Sequence, residues 1–239
     1  MTDAALPAPA AQAPAPRRPM RFRETRRMAA TYSRSISAML GLALVVLFLA
    51  TAAFGPLVAP FPEDATGAVN FEAKLLPPSA EHLFGTDQVG NDIFSRVLFG
   101  ARTTLQIGLT VTGIAILIGV PLGLIAGMTG GWVAETIMRV TDIFLSIPGL
   151  ILAIAIVGAL GPGILNAMVA LSLVWWPGYV RLVQAKTLSL RNEVYVDAAR
   201  ALGAGPLRIL FVHVLPNCLS PIVVKASMDM GMAILGATS

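Results

Sequence analysis

AMLGLALVVLFLATAAFGPLV, residues 38–58, runs for twenty-one positions without a charged side chain. A helix of about 20 mostly apolar residues crosses roughly 30 Å of hydrocarbon, so this stretch by itself predicts a membrane span. The rest of the chain agrees. Of its 239 residues, 56% are hydrophobic and 13% charged, and mean hydropathy is +0.76. Soluble domains carry about 25% charged residues. Charges this sparse cannot cover a water-facing surface, but they suffice where the outer surface is lipid. Four more apolar segments follow, near 103–126, 136–158, 163–180 and 217–239. They are continuous rather than alternating, which predicts helices and not a barrel. The chain is read as an all-α polytopic membrane protein with about five spans.

The charges orient it. Residues 4–16 are almost entirely Ala and Pro, and residues 1–36 are read as a disordered tail ending in Arg17, Arg18, Arg21, Arg23, Arg26, Arg27 and Arg34. Such composition cannot build a core. A basic run next to a first span, here 37–58, stays on the cytoplasmic side. Ala50-Thr51-Ala52 has the small residues of a cleavage site, and the paired arginines faintly resemble a twin-arginine signal. The long basic region and the further spans argue against removal. Residues 59–101 are polar and mostly acidic (Glu63, Asp64, Glu72, Glu81, Asp87, Asp92) and are expected outside with a short amphipathic helix. The next basic polar stretch carries Arg181, Lys186, Arg191, Arg200 and Arg208. Counting crossings from a cytoplasmic start returns it to the cytoplasm, so charge and parity agree. GMTGGW (127–132) and Gly161-Pro162-Gly163 are expected turns. Gly108, Gly113, Gly119, Gly123 and Gly127 recur, several at the four-residue spacing that lets helices approach closely in lipid; glycine is also simply common in such helices.

The cytoplasmic stretch carries the most information: RNEVYVDAARALGAGPLRILFVHVLP, residues 191–216. Asn192 is expected as N-cap of a short helix, with Glu193 and Asp197 near its positive end. Val194, Ala198, Ala201 and Leu202 fall on one face. Gly203 suits the left-handed position past a helix end, and Gly205-Pro206 suits a second helix start. Helix, break and helix make either a knob that enters a partner's groove or an amphipathic interfacial linker.

The pattern Asp197-Ala198-Ala199, Gly203 and Leu215-Pro216 resembles the signature loop of bacterial ABC import permeases, with Asp197 in place of Glu and His213 in place of Ile. A second segment is similar to the one before span two in dipeptide, oligopeptide and nickel permeases: Gly85, Thr86, Asp87, Gln88, Val89, Gly90, Asn91, Asp92, then Ser95, Arg96, Gly100 and Arg102. Asn91 stands where Arg is common. The resemblance runs from about residue 38 to the end. It implies a type I ABC importer transmembrane domain over residues 102–239, with a coupling loop at 187–214. It implies a heterodimer with a second permease, two cytoplasmic ATPase subunits carrying ATP and Mg, and an external substrate-binding protein. In that scheme Asp197, Ala198, Ala199 and Gly203 form the ATPase-facing surface. Peptides are the solute suggested by the branch, with nickel chelates, glutathione-like peptides and opine-like compounds open. Six spans are implied where five are read, so the chain is expected to be truncated at its C-terminus.

No catalytic or metal site is expected, and no cofactor is expected on this chain. There is no GK[ST] phosphate loop, so ATP hydrolysis would fall to another subunit. His82 and His213 lie on opposite faces by the crossing count. Cys218 has only His213 near it in sequence. The charges do not form a nucleic-acid patch. Physically, Asp87 is expected to cap a short helix, Asp92 and Arg96 to pair at i,i+4, and Arg102 to snorkel. Lys225 and Asp229, four apart in the last span, are either a structural pair or part of a pathway or proton relay. That pair keeps a gradient-driven transporter open as an alternative; a polytopic enzyme would need clustered His, Asp or Glu, which are missing. Asp142 and Arg139 are expected at the interface. Pro148, Pro177 and Pro221 are candidate kinks.

Overall fold

A computed structural model describes residues 35–65 and 67–238. The arginine-rich tail lies outside the described residues. Those described fold into helices α1 (Ile36–Val58), α2 (Ile93–Thr129), α3 (Gly131–Ser146), α4 (Gly149–Leu160), α5 (Ile164–Leu190), α6 (Val194–Ala201) and α7 (Pro206–Arg208). A π-helical stretch, Ile209–Val214, leads into α8 (Leu215–Thr238). The chain divides after Ala50 into two units. The described part of the first is the N-terminal two-thirds of α1, whose leucines and valines are mostly exposed, as lipid-facing residues are.

In the second unit α5 is the central helix, packed by α2, α4, α8 and α3. It buries Tyr179, Val180 and Val183 completely. The closest seam is with α2. A Cβ on Gly119 would stand 2.5 Å from Tyr179 Cβ, on Gly123 2.7 Å from the Val180 carbonyl oxygen, and on Gly127 2.4 Å from Thr187 Cβ. These three glycines at i, i+4 and i+8 let two backbones touch where lipid supplies no hydrophobic drive and dispersion contacts must hold the pair. Gly113, on the same helix, has nothing within 4 Å.

Among the described residues, three helical runs are long and apolar enough to cross a membrane: Ile36–Val58, Ile93–Thr129 and Pro206–Gly236. A fourth arises if α3 and α4 count as one span. Two of the five expected spans therefore take a different form. The segment 136–158 is not one rod but two helices bent by 89°. Ile147 is extended (φ −94°, ψ 128°) ahead of Pro148, because a residue before proline is pushed out of the helical region. The segment 163–180 begins a helix that continues to Leu190 and falls outside the apolar set. Its Asn166, Trp176, Pro177 and Tyr179 dilute the hydropathy. Its burial among other helices replaces the need for an all-apolar surface. Helix α2 starts ten residues before the expected span. At 37 residues it is about 55 Å long, well beyond the hydrocarbon thickness, so its first turns overhang.

Candidate functional site

Two regions collect the residues singled out by sequence. The first is α6 and its flanks. Its N-cap is Glu193, not Asn192, and no side chain caps it. The expected apolar face is real but points outward: Val194 is 83% and Leu202 89% exposed, with Ala198 and Ala201 also exposed. The residue that anchors the helix is Val196, fully buried in one core with Leu190, Ile209, Val214, Tyr179 and Val183. Sequence reasoning passed over Val196 because it breaks the periodic face. Asp197 is exposed and pairs with Arg200 at 2.8 Å, a contact worth little at a surface. Ala199 is half-buried.

The helix ends in a Schellman motif. Gly203 N–H donates to the Arg200 carbonyl at 2.9 Å and Ala204 N–H to the Ala199 carbonyl at 3.0 Å. Gly203 takes φ +83°, which glycine adopts at no steric cost. Pro206 opens α7 at its first turn, where a missing N–H costs nothing. Leu215 is half-buried and Pro216 exposed at the start of α8. At the root of the loop, Arg191 donates from Nη1 to the Gly127 carbonyl at 3.0 Å. It satisfies an orphan carbonyl in the last turn of α2 and ties the loop to the glycine seam. Sequence reading counted Arg191 only as a charge. A knob held this way by Val196 and Arg191 is rigid, small-residued and apolar on its free face.

The second region is the segment before α2. Asp92, 1% exposed, is the N-cap of α2: its Oδ2 accepts from Ser95 N at 2.7 Å, and its Oδ1 lies 3.0 Å from His82 Nδ1. Asp92 N–H in turn donates to Asp64 at 2.8 Å, and Ser95 Oγ accepts from Phe61 N at 3.1 Å. The Asp92–Arg96 pair foreseen from sequence does not form. Arg96 pairs with Asp87 instead, because Asp92 is turned inward to cap. Asp87 does not cap a helix either. Its Oδ1 accepts from Val89 N and Asn91 N, each at 2.9 Å, and so closes a tight turn. Thr86 bridges across that turn to Asp92 and bonds Leu76 N at 2.8 Å. Gly85 and Gly90 both have positive φ, and a Cβ on Gly90 would fall 1.7 Å from the Asn70 carbonyl oxygen. Gly100 faces open space and Arg102 is exposed on the overhang of α2.

Burial raises both carboxyls. For Asp87 the N–H groups of Asn91 and Val89 and the Arg96 guanidinium outweigh it. For Asp92 the Ser95 N–H and hydroxyl and His82 do. Both end below the ordinary carboxylate range.

Elsewhere, Lys225 and Asp229 form an ion pair of 3.0 Å on α8. Lys225 Nζ lies 5.1 Å from the Tyr179 ring centre. Asp142 of α3 pairs with Arg181 of α5 at 2.5 Å, and Arg139 with Glu135 at 3.1 Å, all four exposed. Pro177 and Pro221 lie inside α5 and α8.

A family profile described as binding-protein-dependent transport system inner membrane component matches residues 119–239. A second, described as the N-terminal transmembrane domain of oligopeptide transport permease C, matches residues 25–78. A dipeptide transport system permease protein from Alkalihalophilus pseudofirmus is 45% identical over 203 residues, covering 84% of this chain and 66% of that one. A probable D,D-dipeptide transport system permease protein from Escherichia coli is 45% identical over 196 residues, 82% of this chain and 65% of that one. A di/tripeptide transport system permease protein from Pseudomonas aeruginosa is 41% identical over 216 residues, 87% and 70%. The chain thus spans about two-thirds of the length of these relatives.

Proposed function

Because the chain belongs to the family of binding-protein-dependent transport system inner membrane components, we propose that it is a permease subunit of an ATP-driven importer for peptides or a related small solute. The observation that carries this reading beyond the family is the free apolar face of α6. Val194, Ala198, Ala201 and Leu202 are exposed together on a helix whose other side is locked into the core by Val196. A rigid exposed apolar patch marks an interaction surface.

In this reading Asp197, Ala198, Ala199 and Gly203 meet an ATPase subunit in the cytoplasm, and the N-terminus lies on that same side. Small side chains permit close approach. Force applied to α6 passes through Val196 to α5 and through Arg191 to α2. The chain is not itself an enzyme. ATP and Mg sit on two partner ATPases, a second permease completes a heterodimer, and an external binding protein delivers solute to the face carrying residues 59–92. Leu215 and Pro216 set the start of the last helix. Gly85, Thr86, Asp87, Gly90, Asp92, Ser95, Arg96, Gly100 and Arg102 build and flank the folded segment ahead of α2. In this reading no cofactor, catalytic or metal site is assigned to this chain, and among the described residues no group of three or more His, Cys, Asp or Glu could hold a metal ion.

The test is purification of the tagged protein from its native membrane in mild detergent, followed by mass spectrometry. Recovery of ATPase subunits, a second permease and a binding protein is the expected result. A homogeneous chain whose transport collapses with an ion gradient rather than with ATP would overturn the proposal in favour of a secondary transporter.

A further inference from the structure

The glycine seam fixes the sense of two helices. Gly119 meets Tyr179 and Gly127 meets Thr187, so α2 and α5 run parallel and begin towards the same end of the bundle. Two cavities adjoin there. The first, of about 470 Å³, has Arg102, Thr103, Thr104 and Gln106 of α2 in its lining, with Arg96 beside them. The second, of about 410 Å³, has Val157 of α4 and Ala167 and Met168 of α5. Ile107 and Ile164 line both. The two therefore form one continuous site with a polar mouth and an apolar slot.

Mouth and slot are ordered along the helices. Arg102 precedes Ile107 by about 7 Å of helix rise towards the start of α2. Ala167 and Met168 lie about a turn beyond Ile164 in the opposite direction. From Arg102 to Thr129, α2 carries no further charge. The mouth thus stands where hydrocarbon gives way to headgroups, and the slot lies within the hydrocarbon. An arginine at that depth keeps its head in the interface.

The mouth is charged. Its lining holds two arginines and no carboxylate. Arg96 is already paired with Asp87. No hydrogen bond or ion pair among the described residues engages the side chains of Arg102, Thr103, Thr104 or Gln106. One guanidinium is left over, and its planar fork of donors matches phosphate.

We propose that this site holds an anionic phospholipid, its phosphate taken by Arg102 and the neighbouring hydroxyl and amide groups, and one acyl chain laid in the slot over Ile107, Ile164 and Met168. A soluble anion would leave the slot unfilled. A hydrocarbon chain alone would leave the guanidinium unserved. A zwitterionic headgroup brings an ammonium for which the mouth lining has no carboxylate. The site depends on the membrane placement of α2 and not on the solute carried.

The test is native mass spectrometry of the protein purified in mild detergent with the subunits that accompany it, titrated with dioleoylphosphatidylglycerol, dioleoylphosphatidylcholine and inorganic phosphate. Phosphatidylglycerol adducts are expected at lower concentration than phosphatidylcholine adducts, and inorganic phosphate should not displace them. Arg102 is exposed, so Arg102→Gln should elute as the parent does. It should weaken phosphatidylglycerol binding about tenfold, the factor for one hydrogen bond to a charged group, and affect phosphatidylcholine less. Arg102→Lys should restore most of the loss. Ala167→Phe narrows the slot without touching the mouth and should weaken both lipids. Equal binding of the two lipids by the parent, displacement by phosphate, or phosphatidylglycerol binding unchanged in whichever variant elutes as the parent does would overturn the proposal. So would absence of any lipid adduct, which would mean that another subunit covers the mouth.

Discussion

Alanine placed at Gly123 and at Gly113 should move stability in opposite directions, although both sit on α2. At Gly123 the new methyl meets the Val180 carbonyl oxygen at 2.7 Å and Val183 Cβ at 2.8 Å. Neither neighbour is a flexible side-chain end: one is backbone and the other a Cβ on the central helix. The helices must separate by several tenths of an ångström, and overpacking of this kind costs about 1–3 kcal/mol. At Gly113 nothing stands within 4 Å. There alanine only removes glycine's backbone freedom, which is worth roughly 0.5–1 kcal/mol in favour of the helix. For a chain of this size about 2–4 °C follows each kcal/mol. Gly123→Ala should thus lower the apparent unfolding midpoint in detergent by several degrees, and Gly113→Ala should leave it unchanged or raise it slightly. A light-scattering or cysteine-reactivity melt reads both; the buried Cys218 supplies the thiol for the latter. Equal shifts for the two variants would refute the seam, since they would mean that the glycines act through propensity and not through contact.

The remaining predictions concern the two loops. Asp92→Ala should cost about 1 kcal/mol through the lost N-cap and loosen residues 59–92, read as faster proteolysis of that segment; protection equal to the parent would contradict the capping role. Asp87 and Asp92 both titrate below their unfolded value in the fold. Their stabilisation is therefore complete above about pH 4 and lost as pH falls through the lowered values, so an acid melt of the double variant Asp87→Asn, Asp92→Asn should be flatter below about pH 4 than that of the parent. Ala199→Arg and Gly203→Asp should abolish coupled uptake while leaving membrane insertion intact, because the first adds bulk to the ATPase-facing surface and the second forces a side chain into a left-handed position. Normal uptake by both would remove α6 from the docking role.

Much of the architecture was legible because bilayer physics writes itself locally. A run of twenty-one uncharged residues and the Gly203 and Pro206 punctuation each depend on near neighbours in sequence. The break at Pro148 was visible as a candidate kink, but its 89° size was not, since proline permits a bend without setting its angle. The central helix runs past the expected end at residue 180 because Arg181 and Lys186, both exposed, interrupt the apolar run without interrupting the helix.

Sequence alone fixed the membrane character, the helical class and the positions of the two motifs, because hydrophobic length and turn chemistry are one-dimensional properties. Tertiary structure decided the partners. Arg96 could have served Asp92 or Asp87, and capping of α2 by Asp92 gave it to Asp87. The face of α6 could have turned inward, and burial of Val196 turned it out. Spacing puts Lys225 and Asp229 on one face, and only the packing of α5 against α8 sets the Tyr179 ring 5.1 Å from Lys225 Nζ. Spacing along one helix says which residues share a face; it does not say which other helix will meet them.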